Sequence, residues 1–251
     1  MQTIVIIGAS NVTLSLPVIW STLRRSLNEP FRLIVTAGHG RSFGLPSTVV
    51  GRTLPSILEC GLWEQLDRLD DSSPIHAVVT DIGNDLLYGA EFAEISGWVN
   101  DAVNRLRIRT PNILLTGLPI DSLQSLSARR FEFFRRLMFP RSTLTFENAL
   151  AQGNALHHQL LNADDDGTIS TITPERRWYG FDPIHIRRRC RRAAWERYLS
   201  LCLPTAQLRR CGPIADLSVW RGTAERRWKH SQLLTSQQPT RTSNENELWL
   251  F

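Results

Sequence analysis

The sequence predicts an α/β protein, a three-layer α/β/α sandwich around a mostly parallel five-stranded sheet. Three observations carry this. The run Thr-Ile-Val-Ile-Ile-Gly at 3–8 is continuously β-branched and ends in glycine, the pattern of a strand buried on both faces. Further short apolar runs alternate with stretches of helical period, the β-α-β-α order that builds parallel sheets. Glycine and polar residues gather just after the strand-like runs, where open parallel sheets place their sites.

Taken in order, Leu16, Ile19, Trp20, Leu23 and Leu27 keep a helical period after the first strand, with Arg24 and Arg25 on the other face. Residues 31–37, 76–80 and 112–116 form the next strands. Between them lie helices at 54–69 and 92–106, the second carrying Trp98, Val99, Ala102, Val103 and Leu106. Two more helices are expected at 128–138 and 144–161. Asp164-Asp165-Asp166-Gly167 then turns the chain into a fifth strand, 168–172, and a last helix runs from Pro183 to Leu201, with Pro204 breaking the pattern. This predicts a domain at 1–204 and a C-terminal extension at 205–251. Residues 231–247, rich in Ser, Thr, Gln, Asn and Glu, read as a loose tail, and Leu248-Trp249-Leu250-Phe251 is apolar enough to dock on the domain or a partner.

Composition narrows the function classes. At 251 residues, 42% hydrophobic and 21% charged, without a fixed repeat, the chain is neither collagenous, disordered nor a solenoid. Cys60, Cys190, Cys202 and Cys211 form neither a C-x-x-C pair nor a disulfide framework, so reduced thiols in a cytoplasm are expected and no metal cluster is implied. Neither a basic leader nor a long apolar stretch opens the chain, which argues against a signal peptide or membrane span. The net charge is +5, and Lys229 is the single lysine among 29 basic residues. That excess invites a nucleic-acid reading, but residues 175–229 hold 14 basic and 5 acidic residues while 1–174 hold 14 and 17. The charge is therefore local and nucleic acid is not expected as a partner. The run Arg187–Arg192 should cover the exposed face and ends of the last helix, with Ala193, Ala194, Trp195 and Tyr198 facing inward; Arg187 or Arg188 could alternatively attract an anionic group of a substrate.

Four post-strand segments hold reactive groups: Gly8-Ala9-Ser10-Asn11, Gly38-His39-Gly40, Asp81-Ile82-Gly83-Asn84-Asp85 and Gly180-Phe181-Asp182-Pro183-Ile184-His185. Each has a plain structural alternative. Ser10 sits where a helix cap belongs, Asp182-Pro183 reads as an N-cap and first helical position, Gly83-Asn84-Asp85 suits a turn, and Gly38 and Gly40 suit unusual dihedrals.

In order and together, these segments resemble the SGNH hydrolases, the GDSL-type esterase and lipase superfamily, over roughly Thr3 to Leu201. The resemblance implies a flavodoxin-like sheet and a serine hydrolase that cleaves carboxylic esters of small molecules without a cofactor. By it, Ser10 matches the nucleophile, Gly40 the oxyanion glycine with Gly38 as the competing position, Asn84 the asparagine of the G-x-N-D block, and Asp182 and His185 the D-x-x-H block. The first block departs from the pattern: Gly-Ala-Ser stands where the family usually has Gly-Asp-Ser, so another group, with Asn11 at hand, must do the work of that carboxylate.

The chemistry fits these residue types independently. A serine hydroxyl needs an imidazole to take its proton, and the imidazole needs a carboxylate to fix its tautomer, roles for His185 and Asp182. The oxyanion of the tetrahedral intermediate needs preorganised donors, which the N–H groups of Ser10 and Gly40 and the amide of Asn84 supply.

Two other readings remain. One is a catalytically inactive binding or scaffold protein of the same fold, suggested by Ala9. The other is a dinucleotide-binding Rossmann unit, which Gly8-Ala9-Ser10-Asn11-Val12-Thr13 suits poorly because the second and third glycines of G-x-G-x-x-G are absent. Asn162-x-Asp164-x-Asp166-Gly167 imitates a calcium loop, but Thr173 stands where the bidentate glutamate belongs, and the adjacent His157 and His158 read as surface residues, so no metal site is expected.

Overall fold

A strand with apolar residues on both sides must be covered on both sides. The computed structural model describes residues 1–49, 51–69, 74–163, 167–204, 206–209, 219, 227–228 and 238–251. In chain order the elements are β1 (Gln2–Ile7), α1 (Ser10–Ser26), β2 (Phe31–Thr36), β3 (Ser47–Val49), β4 (Arg52–Leu54), α2 (Leu62–Asp67), β5 (Ile75–Val79), α3 (Asn84–Leu87), α4 (Phe92–Arg107), β6 (Ile113–Thr116), α5 (Ile120–Gln124), α6 (Ala128–Met138), α7 (Phe146–Leu161), β7 (Ile169–Ile172), α8 (Arg191–Cys202), β8 (Arg227–Trp228), β9 (Arg241–Ser243) and β10 (Asn246–Leu250).

Ile4 and Ile6 of β1 face one core, with Trp20 of α1 and Trp195 of α8. Val5 and Ile7 face the other, with Val99 of α4 and Leu156 of α7. The period of two along the strand thus generates the three layers. Strands β7, β6, β5, β1 and β2 pair in parallel as expected, but the sheet has seven strands, in the order β7-β6-β5-β1-β2-β10-β9. The two additional strands come from the polar C-terminal stretch. β10 runs parallel to β2, pairing Leu248 with Leu33 and Leu250 with Val35, and β9 is antiparallel to it at the edge. Leu248 and Leu250 enter the core beneath α1 and α8, whereas Phe251 enters the opposite one. The apolar tail end does dock, and it does so as a strand of the main sheet. Residues 164–166 and 231–237, Lys229 and Cys211 lie outside the described residues.

Two expected helices are shorter than their periodicity suggests. Residues 54–61 end β4 and form a turn before α2, because Pro55, Ser56 and Gly61 interrupt the helical run. The last helix begins at Arg191, not Pro183, because side chains of other segments hold the backbone of 183–190 in a loop. Ala194, Trp195 and Tyr198 are buried as expected, while Ala193 is exposed. Among the described residues, no helix is long and apolar enough to cross a membrane.

Candidate active site

The carboxyl ends of β1, β2 and β5 point the same way because the strands are parallel, so the segments after them share one end of the sheet. Ser10, the first residue of α1, is 6% exposed there. Its Oγ lies 2.9 Å from His185 Nε2, and His185 Nδ1 lies 2.6 Å from Asp182 Oδ2. Asp182 Oδ1 accepts the N–H groups of Ile184 and His185 at 3.0 and 3.1 Å. Burial alone would raise the Asp182 carboxyl pKa; the hydrogen bond and charge of His185, aided by those two N–H groups, outweigh it and hold the group below its ordinary value. An ionised Asp182 keeps the neutral imidazole protonated at Nδ1, which leaves Nε2 to accept from the Ser10 hydroxyl.

Ala9 gives α1 no side-chain cap of its own. The cap comes from Asp81, whose Oδ2 accepts the N–H groups of Ala9, Asn11 and Val12 at 3.0, 2.8 and 3.2 Å. Ser10 N–H, between them, is passed over. Asp81 adopts φ 58°, a left-handed conformation uncommon outside glycine, and these bonds hold it there. Asn11 extends the brace. Its Nδ2 donates to Asp81 Oδ1 at 2.8 Å and to the Ile184 carbonyl at 2.9 Å, and its Oδ1 accepts Ile186 N–H at 2.7 Å. The residues on either side of His185 are thereby tied to the start of the Ser10 helix, which is why 183–190 is a loop.

Asn84 donates from Nδ2 to the Arg41 carbonyl at 3.0 Å, using one of its two amide hydrogens. Next to Arg41, Gly40 has φ 66°, its carbonyl accepts the Tyr88 hydroxyl at 2.7 Å, and a Cβ would meet Tyr88 Oη and Val49 Cγ2 at 2.9 Å each. Gly38 gives its N–H to the Ala9 carbonyl in a long 3.5 Å bond. Asp85, fully buried, joins the two loops: it accepts the Ser42 hydroxyl and the N–H groups of Phe43 and Gly44. Burial raises its pKa, partly offset by those donors.

No protein-family model and no curated protein matches the chain. Solved structures do. One with 12% identity covers 80% of this chain and 98% of its own at a TM-score of 0.52. TesA is 15% identical over 81% of this chain and 99% of its own, with a TM-score of 0.45. The psychrotrophic esterase EstA from Pseudoalteromonas sp., in a structure inhibited by monoethylphosphonate, is 11% identical over 78% and 93%, with a TM-score of 0.43. The first of these shares the α/β fold of this chain, a mostly parallel sheet covered by helices on both faces.

At the carboxyl end of this sheet, Ser10, His185 and Asp182 form one hydrogen-bonded line, and Asn84 shares a cavity wall with Ser10. Gly40 is linked to Asn84 through Arg41 rather than by direct contact. Asp81 is the residue that motif reading missed as a cap, since its partners lie about seventy positions earlier in the chain. His39 stands exposed between the two glycines, and its pKa is lowered by desolvation and then by the charges of His185 and Arg52. His157 is a correction: it is buried, with Nδ1 accepting Leu118 N–H at 3.1 Å, whereas His158 is exposed. A pyrophosphate, as the dinucleotide reading requires at the α1 N-terminus, would meet the Asp81 carboxylate already bound there.

Proposed function

We propose that the protein is a serine esterase that hydrolyses a carboxylic ester through an acyl-serine intermediate. The Asp182–His185–Ser10 line carries this reading: groups 175 residues apart in sequence meet at hydrogen-bonding distance in the order that general-base catalysis needs. Ser10 Oγ attacks the ester carbonyl carbon as its proton passes to His185 Nε2. Asp182 stabilises the imidazolium. The carbonyl oxygen gains negative charge and is met by the N–H of Ser10, which Asp81 leaves available, by Gly40 N–H and by the second amide hydrogen of Asn84. Collapse breaks the bond to the alcohol oxygen, which takes the proton from His185. Water, deprotonated by His185, then attacks the acyl-serine and releases the acid. Gly40 is the better oxyanion donor of the two glycines because Gly38 N–H is turned to Ala9.

Turnover of short p-nitrophenyl esters tests the reading. Ser10→Ala or His185→Ala should lower kcat on the order of 10⁶-fold, and Asn84→Ala about 10²–10³-fold. Unchanged turnover in either triad variant refutes it. A wild type that neither turns over esters nor is labelled at Ser10 by a fluorophosphonate is a binding protein instead.

A further inference from the structure

Ser10 and Asn84 open onto a cavity of about 970 Å³, its open mouth included. It extends from Ser10 past the ends of β5 and β6 to a wall built by α5, α6, α7 and their connections. Leu126, Phe131, Phe134, Met138, Leu144 and Ala149 form that far wall. On α6, Phe131, Phe134 and Met138 recur three and four residues apart and face the cavity, as one side of a helix must. Away from Ser10 and Asn84, three polar side chains of the wall, those of Thr116, Arg135 and Asp81, already have partners. Thr116 Oγ1 bonds Thr80 Oγ1 at 2.9 Å, Arg135 grips Glu132 at 2.9 and 2.6 Å, and both oxygens of Asp81 accept N–H groups of the α1 start. Against the apolar far wall a sugar would lose water with few hydrogen bonds to replace it, whereas an alkyl chain loses none.

The side of the ester that fills the cavity follows from the chemistry of the line already described. The acyl group stays bonded to Ser10, which is in the wall; the alcohol leaves with a proton from His185, which is not. We infer, on the basis of the esterase reading, that this cavity binds the acyl chain and that the substrates are esters of unbranched fatty acids rather than acetyl esters.

The test is a series of p-nitrophenyl esters from acetate through butyrate and hexanoate to octanoate and decanoate, run beside acetate esters of lengthening alcohols. For wild type, kcat/KM should rise with acyl length by up to about fourfold per methylene, and change little with alcohol length. Ala149→Phe, which fills the chain path, should lower the octanoate-to-acetate ratio of kcat/KM about tenfold or more. Phe134→Ala, which lengthens it, should move the optimum toward decanoate. Ser10-dependent hydrolysis that is flat or falling with acyl length, or that rises with alcohol length alone, overturns the inference and leaves the esterase reading standing. Hydrolysis that survives Ser10→Ala overturns the esterase reading itself. The wild-type series decides even if a variant fails to fold, which its thermal transition would reveal.

Discussion

Asp81, braced by Asn11, caps the helix start that Ala9 leaves without a side-chain cap. Three backbone N–H groups of the α1 start converge on one oxygen of Asp81, so the helix end at which the proposed mechanism puts the oxyanion is held in place while Asp81 leaves Ser10 N–H available. Asn11 couples that end to the His185 loop from both sides. Its removal should therefore act on the chemical step. Asn11→Ala frees the His185 loop from the Ser10 helix, and a displacement of about 1 Å between nucleophile and base costs on the order of 10²-fold in rate. The expected result is a loss of that order in kcat with KM nearly unchanged, and a lower thermal transition. A variant that loses stability but keeps kcat shows that the Asp182 turn alone positions His185.

Strand β10 connects the end of the chain to the site. Arg41, completely buried, donates to the Ala37 carbonyl at 3.2 Å and to the Phe251 carbonyl, and its own carbonyl anchors Asn84. The chain end thus supports the loop that carries Gly40. Leu248 is 0% exposed in the core beside Leu33, so Leu248→Ala should cost about 2–5 kcal/mol, read from the urea midpoint; a change below about 0.5 kcal/mol would mean that β10 is peripheral. The sequence concealed this strand. Residues 246–250 follow a polar run and contribute only three apolar side chains before Phe251, too few for periodicity to register against that background. By contrast β1 was legible, because five consecutive β-branched residues have no other reading, and local spacing was enough to single out Ser10, Asn84, Asp182 and His185, which the structure places at one end of the sheet. The start of α8 was not legible: Asp182-Pro183 has the local signature of a helix start, and Asn11, more than 170 residues away, overrides it. Asp81 was hidden for the same reason.

Across the molecule the arginine excess has a structural use. Arg105 donates to the Leu58 carbonyl, Arg109 to those of Leu66 and Leu69, Arg130 to those of Gly180 and Phe181, and Arg191 to those of Leu14 and Ile186. A planar fork of five donors bridges loop carbonyls in ways a lysine ammonium cannot, so these four charges are committed to the fold. The molecule is thus stapled by permanent cations and carries net positive charge, and its histidines decide how it tolerates acid. Burial is the largest cause lowering the pKa of His76 and His157. The unfolded chain takes protons at these positions near pH 6.5, before the folded one does. Their contribution is complete above that pH and is lost as pH falls toward the depressed folded values. Asp85, raised by burial, works in the opposite sense nearer the carboxylate range, so the window to examine is about pH 8 to 5.5. Urea unfolding there should give a plateau above about pH 7 and declining stability below it. His157→Gln keeps an acceptor for Leu118 N–H without a titrating group, and should flatten the decline by at most the ~1.4 kcal/mol per pH unit that one proton contributes. Stability that is level or rises from pH 7 down to 5.5 would show that the His76 and His157 imidazoles are protonated in the fold, and with them that the His157–Leu118 bond does not form as an acceptor contact.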